Sequence, residues 1–318
     1  MTRIFLTVTL AGAALVGTAR AQVGPPALGY LPDSGSLRAM SGIPASGSIG
    51  PVLGSGQTFN QVVASPSGAF ALAAVTDGTV AVVTVASDGV TLNTSIVAGA
   101  TAGTLQLSPN GSSALISNGG QLQVITGLPG SPVAQPTVDA TYLGAVSALA
   151  ISDDGQWVAG VFGGAVSALG SGGQAIPLPA PSGVTALSFF HGTDDLVATT
   201  ANQVVEISNI AGTPTSTTLF GSANAPVPAE SPVSIALTGD NTQIVLVEPD
   251  GGIGQINLTT GAVTSANCGC TPQGLSGLGG SVFRLSNLAG GSVKVYDADS
   301  GSVLFVPLAP AGTQGGQQ

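Results

Sequence analysis

The chain has 318 residues, of which 43% are hydrophobic, 6% are charged and 48 are glycine, and its formal net charge is −10 at neutral pH. Five lysines and arginines are too few for a coiled coil, and they disfavour a nucleic-acid partner, because phosphate binding needs clustered basic side chains. The many apolar residues argue against disorder, which leaves an acidic, soluble, β-rich protein.

The first 21 residues have the three parts of a secretory signal peptide. Met1-Thr2-Arg3 is a short positive start, residues 4–17 are mostly apolar, and Ala19-Arg20-Ala21 is a small-x-small cleavage site. The apolar stretch is shorter than the about 20 residues of a membrane-spanning helix, and no other stretch of the sequence is long and apolar enough. We therefore expect an exported protein, periplasmic or extracellular, that starts at Gln22 and has no membrane span.

A repeat with a period of about 38 to 48 residues follows. Each copy has an apolar run that ends in Ser, a polar turn that contains Gly, and a second apolar run. The three clearest turns are Ser65-Pro66-Ser67-Gly68, Ser108-Pro109-Asn110-Gly111 and Ser152-Asp153-Asp154-Gly155. Weaker copies lie at 187–192, 235–241 and 274–280, so the pattern extends through most of the chain.

Each repeat continues with two further short runs joined by a turn. In 254–263 and 293–303, β-branched runs flank a polar turn closed by Gly, as in β-hairpins. Four strands in each period of about 40 to 45 residues are typical of a β-propeller blade. Residues 146–151 are apolar on both faces, as expected for a sheet stacked between two neighbours.

The repeat resembles the YVTN-type β-propellers, which are relatives of the WD-repeat propellers. In that family a Ser-Pro-Asp-Gly-like turn follows the first strand, and an Asp-x-x-x-Gly-like hairpin closes the blade; here the matches are the three turns above and Asp297-Ala298-Asp299-Ser300-Gly301. The Trp-Asp dipeptide of WD repeats is absent, since the single Trp157 precedes Val158. The resemblance covers roughly residues 57–308 and implies an all-β propeller, but no particular function.

The repeats predict seven blade positions, with six as the alternative. Six four-stranded blades are expected at about 57–100, 101–143, 144–182, 183–228, 229–270 and 271–308. Within the N-terminal segment 22–56, residues 29–38 look like the third strand, turn and fourth strand of an incomplete blade. Residues 309–318 are expected to be a disordered tail.

Two cysteines, Cys268 and Cys270, form a Cys-Gly-Cys pair. In an oxidising compartment such a pair is expected to form a disulfide. Two free thiols, or half of a metal or redox site, are the alternatives. The sequence has no second cysteine pair or histidine cluster to complete a metal site, so we predict the local disulfide.

The single histidine, His191, lies close in sequence to Asp194 and Asp195. A catalytic triad would need the imidazole held between a serine and a carboxylate, whereas His191 falls in the turn after a first strand, where solvated polar residues are expected. The sequence also has no Gly-x-Ser-x-Gly nucleophile motif. We therefore predict that His191 is a turn residue and that the chain has no catalytic residue.

The sequence predicts neither a metal nor a cofactor. Asp297-x-Asp299-x-Gly301 begins like a calcium loop, but no Glu stands at the twelfth position, and a hairpin turn explains both aspartates. Metal-dependent lactonase-like propellers would carry carboxylates on the first strands, around a central channel. Here those strands begin with uncharged residues, namely Asn60-Gln61, Thr104, Ser147, Thr185, Ser234 and Gln273. Haem-attachment and phosphate-loop motifs are also missing.

Three functions remain. The first prediction is a monomeric, non-enzymatic binding or scaffolding propeller with an unknown protein or small-molecule partner, which fits the lack of catalytic groups. The second is a hydrolase or lactonase whose site has no recognised motif. The third is a structural or adhesive component of the cell exterior, which would suit the low charge and the many glycines and serines.

Overall fold

A computed structural model describes residues 27–33, 35–54, 56–86, 91–221, 232–272, 274–288 and 292–309. The predicted signal peptide (1–21) and all of the predicted tail except residue 309 lie outside these ranges. Helical structure in the described part is confined to two short 3-10 turns, Pro44–Ser46 and Thr141–Leu143. None of its helices could therefore cross a membrane.

Seven antiparallel sheets form the blades of a β-propeller ring, which confirms the predicted fold class and the count of seven. The N-terminal blade has β1 (Ala27–Asp33), β2 (Ser36–Ser41) and β3 (Ser48–Leu53). Blade 1 has β4 (Phe59–Ala64), β5 (Ala71–Val75), β6 (Val80–Val85) and β7 (Leu92–Ile96). Blade 2 has β8 (Thr104–Leu107), β9 (Ala114–Asn118), β10 (Gln121–Thr126) and a fourth strand in two pieces, β11 (Val133–Ala134) and β12 (Val138–Asp139).

The remaining blades each have four strands. Blade 3 has β13 (Val146–Ile151), β14 (Trp157–Phe162), β15 (Ala165–Gly170) and β16 (Ala175–Pro177). Blade 4 has β17 (Ala186–Phe189), β18 (Leu196–Thr199), β19 (Val204–Ser208) and β20 (Thr215–Phe220). Blade 5 has β21 (Ser234–Leu237), β22 (Gln243–Val247), β23 (Gly252–Asn257) and β24 (Val263–Asn267). Blade 6 has β25 (Ser276–Gly277), β26 (Val282–Arg284), β27 (Ser292–Asp297) and β28 (Ser302–Pro307).

The repeated Ser-x-x-Gly turn joins the first two strands of a blade. In blade 3 the Ser152 hydroxyl accepts a hydrogen bond from the Trp157 N–H at 3.0 Å, and the Gly155 N–H donates to the Ser152 carbonyl at 3.0 Å. Gly155 has φ 70°, a conformation that costs glycine little. The serine is fully buried. The motif therefore recurs because the buried hydroxyl satisfies a backbone donor where the chain reverses.

The hydrophobic core lies between neighbouring blades rather than at one centre. Ile151 on the first strand of blade 3 is 1% exposed and packs with Leu115 and Leu122 of blade 2. The strand β5 is buried at every position because it is covered on both faces. This arrangement confirms the prediction that the strands are apolar on both faces because each sheet is stacked between two others.

The N-terminal blade has three strands, one more than predicted. The hairpin expected to be a third and fourth strand is in fact β1 and β2, and β3 follows as the outer strand. The sequence of β3 hides it, because Pro51 interrupts an otherwise apolar pattern; proline is tolerated on an edge strand. The Ala309 N–H donates to the Ile49 carbonyl and the Leu92 N–H to the Gly54 carbonyl, both at 2.8 Å. The segment around β3 thus bonds to both neighbouring blades and closes the ring.

Candidate functional site in the central channel

The ring surrounds a cavity of about 580 Å³. Residues of six of the seven first strands, namely β4, β8, β13, β17, β21 and β25, line it. Four of the residues predicted to face the channel do so, namely Gln61, Ser147, Thr185 and Ser234, whereas Asn60 and Thr104 do not line the cavity. Gln273 lies outside the described residues. The described wall is therefore rich in neutral groups that can form hydrogen bonds.

Two channel glutamines use their amides to connect blades. The Gln61 Oε1 accepts from the Leu105 N–H at 2.9 Å, and its Nε2 donates to the Leu105 carbonyl at 3.3 Å. One repeat later, the Gln106 Nε2 donates to the Leu149 carbonyl at 2.9 Å. Ser234 likewise accepts from a backbone N–H of blade 6 at 3.1 Å. These three polar side chains of the wall therefore form hydrogen bonds to neighbouring blades.

Arg284 is a channel residue that the sequence analysis missed. It lies on the second strand of blade 6, opposite Ser276, and reaches the cavity beside the two-residue first strand β25. Its Nη2 donates to the Ser276 Oγ at 3.1 Å. The side chain as a whole is partly exposed, whereas its Nη1 is buried and has no hydrogen-bond partner in the described part of the chain. The first strands of blades 1 to 6 are uncharged, as predicted, but the channel contains a cation.

The environment of Arg284 differs from that of the other two cations in the described ranges. The Arg38 Nε contacts the Asp33 Oδ2 at 2.6 Å. The Lys294 Nζ donates to the Cys268 and Gly269 carbonyls at 2.6 and 2.7 Å. Arg284 has no carboxylate within 4.0 Å in those ranges, and burial lowers its pKa to about 10. It therefore stays charged at neutral pH without a neutralising neighbour.

The turns that follow the first strands form a second set of links between blades. Asp153, 7% exposed, accepts from the Asn110 N–H of blade 2 at 2.9 Å and from the Gly192 N–H of blade 4 at 2.7 Å. Its carbonyl also accepts from the Ser113 hydroxyl at 2.9 Å. We call this arrangement the Asp153 bracket. It joins three consecutive blades through one residue of the repeated turn.

His191 takes part in these links through its backbone. Its N–H donates to the Asn241 Oδ1 at 2.8 Å, and the Asn241 Nδ2 donates to its carbonyl at 2.9 Å. The imidazole Nε2 lies 3.4 Å from the Leu237 carbonyl of blade 5. Asp194 instead lies near the Trp157 side chain of blade 3. The structure therefore places His191 in the predicted turn and does not bring it together with Asp194.

Blade 4 carries two carboxyl groups with raised pKa values. Burial raises the pKa of Asp194, and the charges of Asp154 and Asp195 add to the effect. Burial also raises the pKa of Glu206, again with a contribution from Asp195. Within the described ranges, no three His, Cys, Asp or Glu side chains come together as metal ligands would. The charged forms of these two acids are therefore unfavourable in the folded protein.

The other predicted site residues lie on blades 5 and 6. The Asp297 Oδ1 accepts from the Asp299 N–H at 3.1 Å in the β27–β28 turn, which is the hairpin predicted for this motif. The sulfurs of Cys268 and Cys270 are joined in the structure. The oxidation state of this pair in solution stays a prediction.

Comparisons with known proteins support the fold alone. No family model matches the chain, and no curated protein matches it. The fold is similar to the solved structure of a functionally unknown protein from Desulfotomaculum acetoxidans DSM 771. The match covers 89% of this chain and 100% of that protein's chain, with a TM-score of 0.57 and 12% sequence identity. At that identity the likeness concerns the propeller architecture and carries no function.

Proposed function

We propose that this protein is an exported, non-enzymatic β-propeller that binds a ligand in its central channel. The observation that carries the proposal is the Arg284 guanidinium, which lines the cavity and has an unmatched buried donor at Nη1. A buried donor without an acceptor is costly, and a bound ligand would supply the acceptor. Among the described residues of the wall there is no Asp or Glu, so His191, which also lines the cavity, has no carboxylate partner there, and this favours binding over turnover.

Export and family remain part of the proposal. Export to the periplasm or the cell exterior rests on the pattern of residues 1–21, and membership of the YVTN-type propellers rests on the Ser-x-x-Gly turns. N-terminal analysis of secreted protein should find Gln22 as the first residue. A retained Met1 would contradict export by this route.

A channel variant and a surface variant test the proposed function. Ser147 lines the cavity and is exposed, so Ser147→Phe should obstruct the channel without removing a described hydrogen bond. Ser216 is exposed on the outer strand β20, and Ser216→Phe adds the same ring far from the cavity. A thermal-shift screen of small polar compounds should yield ligands that stabilise the wild type and Ser216→Phe but not Ser147→Phe.

Two results would contradict the proposal. If every ligand found in the screen stabilises Ser147→Phe as well as the wild type, binding takes place outside the channel. If the purified protein turns over ester or lactone substrates, and Ser147→Phe abolishes that turnover, the channel is an active site and the non-enzymatic function is wrong.

A further inference from the structure

The unmatched donor of Arg284 indicates the chemistry of the ligand. Nη1 carries two N–H groups, both buried and without an acceptor in the described ranges, while Nη2 donates to the Ser276 Oγ. Because that oxygen accepts from Arg284, the Ser276 hydroxyl proton is left to donate elsewhere. Both residues line the channel, and the 3.1 Å bond between them places the guanidinium donors and this hydroxyl side by side.

The charge of the site selects an anion. Arg284 stays protonated at neutral pH, and no carboxylate of the described chain lies within 4.0 Å of it. A buried charge without a counter-charge is unfavourable, so an anionic group that enters the channel is favoured over a neutral one. The planar guanidinium fork matches the two oxygens of an oxyanion.

The rest of the channel limits how much negative charge the ligand carries. Arg284 is the single lysine or arginine among the described residues that line the cavity, and the formal net charge of the chain is −10. A phosphate dianion would need further cations or a nest of backbone N–H groups, whereas a monoanion needs one guanidinium. Val233 lines the same cavity and is 46% exposed, which offers apolar contact to a short aliphatic body.

We infer that the channel binds the carboxylate group of a small monoanionic ligand, which pairs with the Arg284 guanidinium and has the Ser276 hydroxyl available to one of its oxygens. This inference rests on the proposed function and deepens it. The same carboxylate chemistry is offered by a free short-chain acid and by the C-terminus of a peptide, so the experiment includes both.

Calorimetric titration of the purified protein with sodium butyrate tests the inference. We expect saturable binding in the millimolar range, and at least tenfold weaker binding of butyramide, which has nearly the same shape without the charge. Inorganic phosphate should also bind at least tenfold more weakly than butyrate. N-acetyl-trialanine with a free C-terminus, compared with its amidated form, then distinguishes the two sources: tighter binding than butyrate indicates a peptide, and weaker binding indicates a small acid.

Two arginine variants separate the local contact from the overall charge. Arg284→Gln should weaken butyrate binding at least tenfold, and Arg284→Lys should weaken it less, because it keeps the charge and loses the fork. Arg38→Gln removes the same charge from a partly exposed pair outside the channel and should leave the affinity unchanged. If Arg284→Gln does not fold, Arg284→Lys and the butyrate–butyramide comparison on the wild type still test whether the carboxylate pairs with Arg284.

The outcomes keep this inference apart from the proposed function. The inference is overturned if butyrate does not bind, if butyramide or phosphate binds as tightly, or if Arg284→Gln binds butyrate like the wild type. If at the same time a neutral ligand loses its binding in Ser147→Phe, the channel remains a binding site and only the carboxylate assignment is wrong. If ligand binding is insensitive to Ser147→Phe throughout, the proposed function itself is wrong.

Discussion

Removing the carboxylate of Asp153 should destabilise the ring at the place where three blades meet. In the Asp153 bracket, one carboxylate accepts from the Asn110 N–H at 2.9 Å and from the Gly192 N–H at 2.7 Å. The substitution Asp153→Ala leaves both donors without their acceptor. The backbone of the turn need not change, because the remaining bonds of the turn are made by the main chain and by Ser152.

The magnitude follows from the two bonds. A hydrogen bond to a charged group contributes about 1.5 to 3 kcal/mol. Asn110 and Gly192 are exposed residues, so water can replace part of the lost interaction and the lower end of that range applies. We expect Asp153→Ala to cost about 3 kcal/mol, and Asp153→Asn, which keeps one acceptor oxygen, about half as much. Against a typical stability of about 5 to 15 kcal/mol for a domain, this loss is large.

Equilibrium unfolding in urea, followed by the fluorescence of Trp157 in the same blade, measures the effect. Asp154→Ala is the matched control, because Asp154 is an exposed neighbour that accepts only within its own turn, from the Ser152 hydroxyl and the Gln156 N–H. Its loss should cost about 1 kcal/mol or less. If Asp153→Ala is no less stable than Asp154→Ala, the bracket does not hold the blades together.

Three further predictions concern packing, the cysteines and pH. Ile151→Asp places an unpaired carboxylate between blades 2 and 3 and should unfold the protein or make it insoluble, at a cost of several kcal/mol. The control His191→Ala should change the free energy of unfolding by about 0.5 kcal/mol or less. A soluble, folded Ile151→Asp protein would show that the strand register is wrong. Thiol labelling of denatured, unreduced protein should find Cys268 and Cys270 unreactive, and two labels per chain would reject the bridge. Because the pKa of Glu206 is raised in the folded state, its charge destabilises the fold above that pKa. Glu206→Gln should therefore raise the free energy of unfolding by a few tenths of a kcal/mol at pH 7, and this gain should disappear below about pH 4. Equal stabilisation at pH 3 and pH 7 would contradict the prediction.

The sequence predicts the blades well because each blade repeats the same local chemistry. The turn at Ser152 needs a small hydroxyl side chain and a glycine with positive φ, and both requirements are visible in the printed residues. The same holds for the hairpin at Asp297. In the N-terminal blade the repeat is broken, so β3, with Pro51 in its middle, gives no comparable pattern.

The candidate site is harder to predict because it depends on where strands end. Arg284 lies on a second strand, which in a regular blade faces the neighbouring sheets. It lines the channel beside β25, which has only two residues, and the length of that strand is a property of the folded blade. The sequence shows Asp153 as part of a turn motif, but its two partners lie 43 and 39 residues away. Nothing local distinguishes it from Asp154.

The bond between Ile49 and Ala309 has a consequence for the order of folding. The glutamine contacts and the Asp153 bracket connect positions about one repeat apart, so adjacent blades can associate as soon as both exist. The Ile49–Ala309 bond closes a loop of about 260 residues, which costs roughly 1.6 kcal/mol more in chain entropy than a loop of one repeat. Folding should therefore spread from blade to blade and end at the N-terminal blade, where β3 joins the last strands to the first.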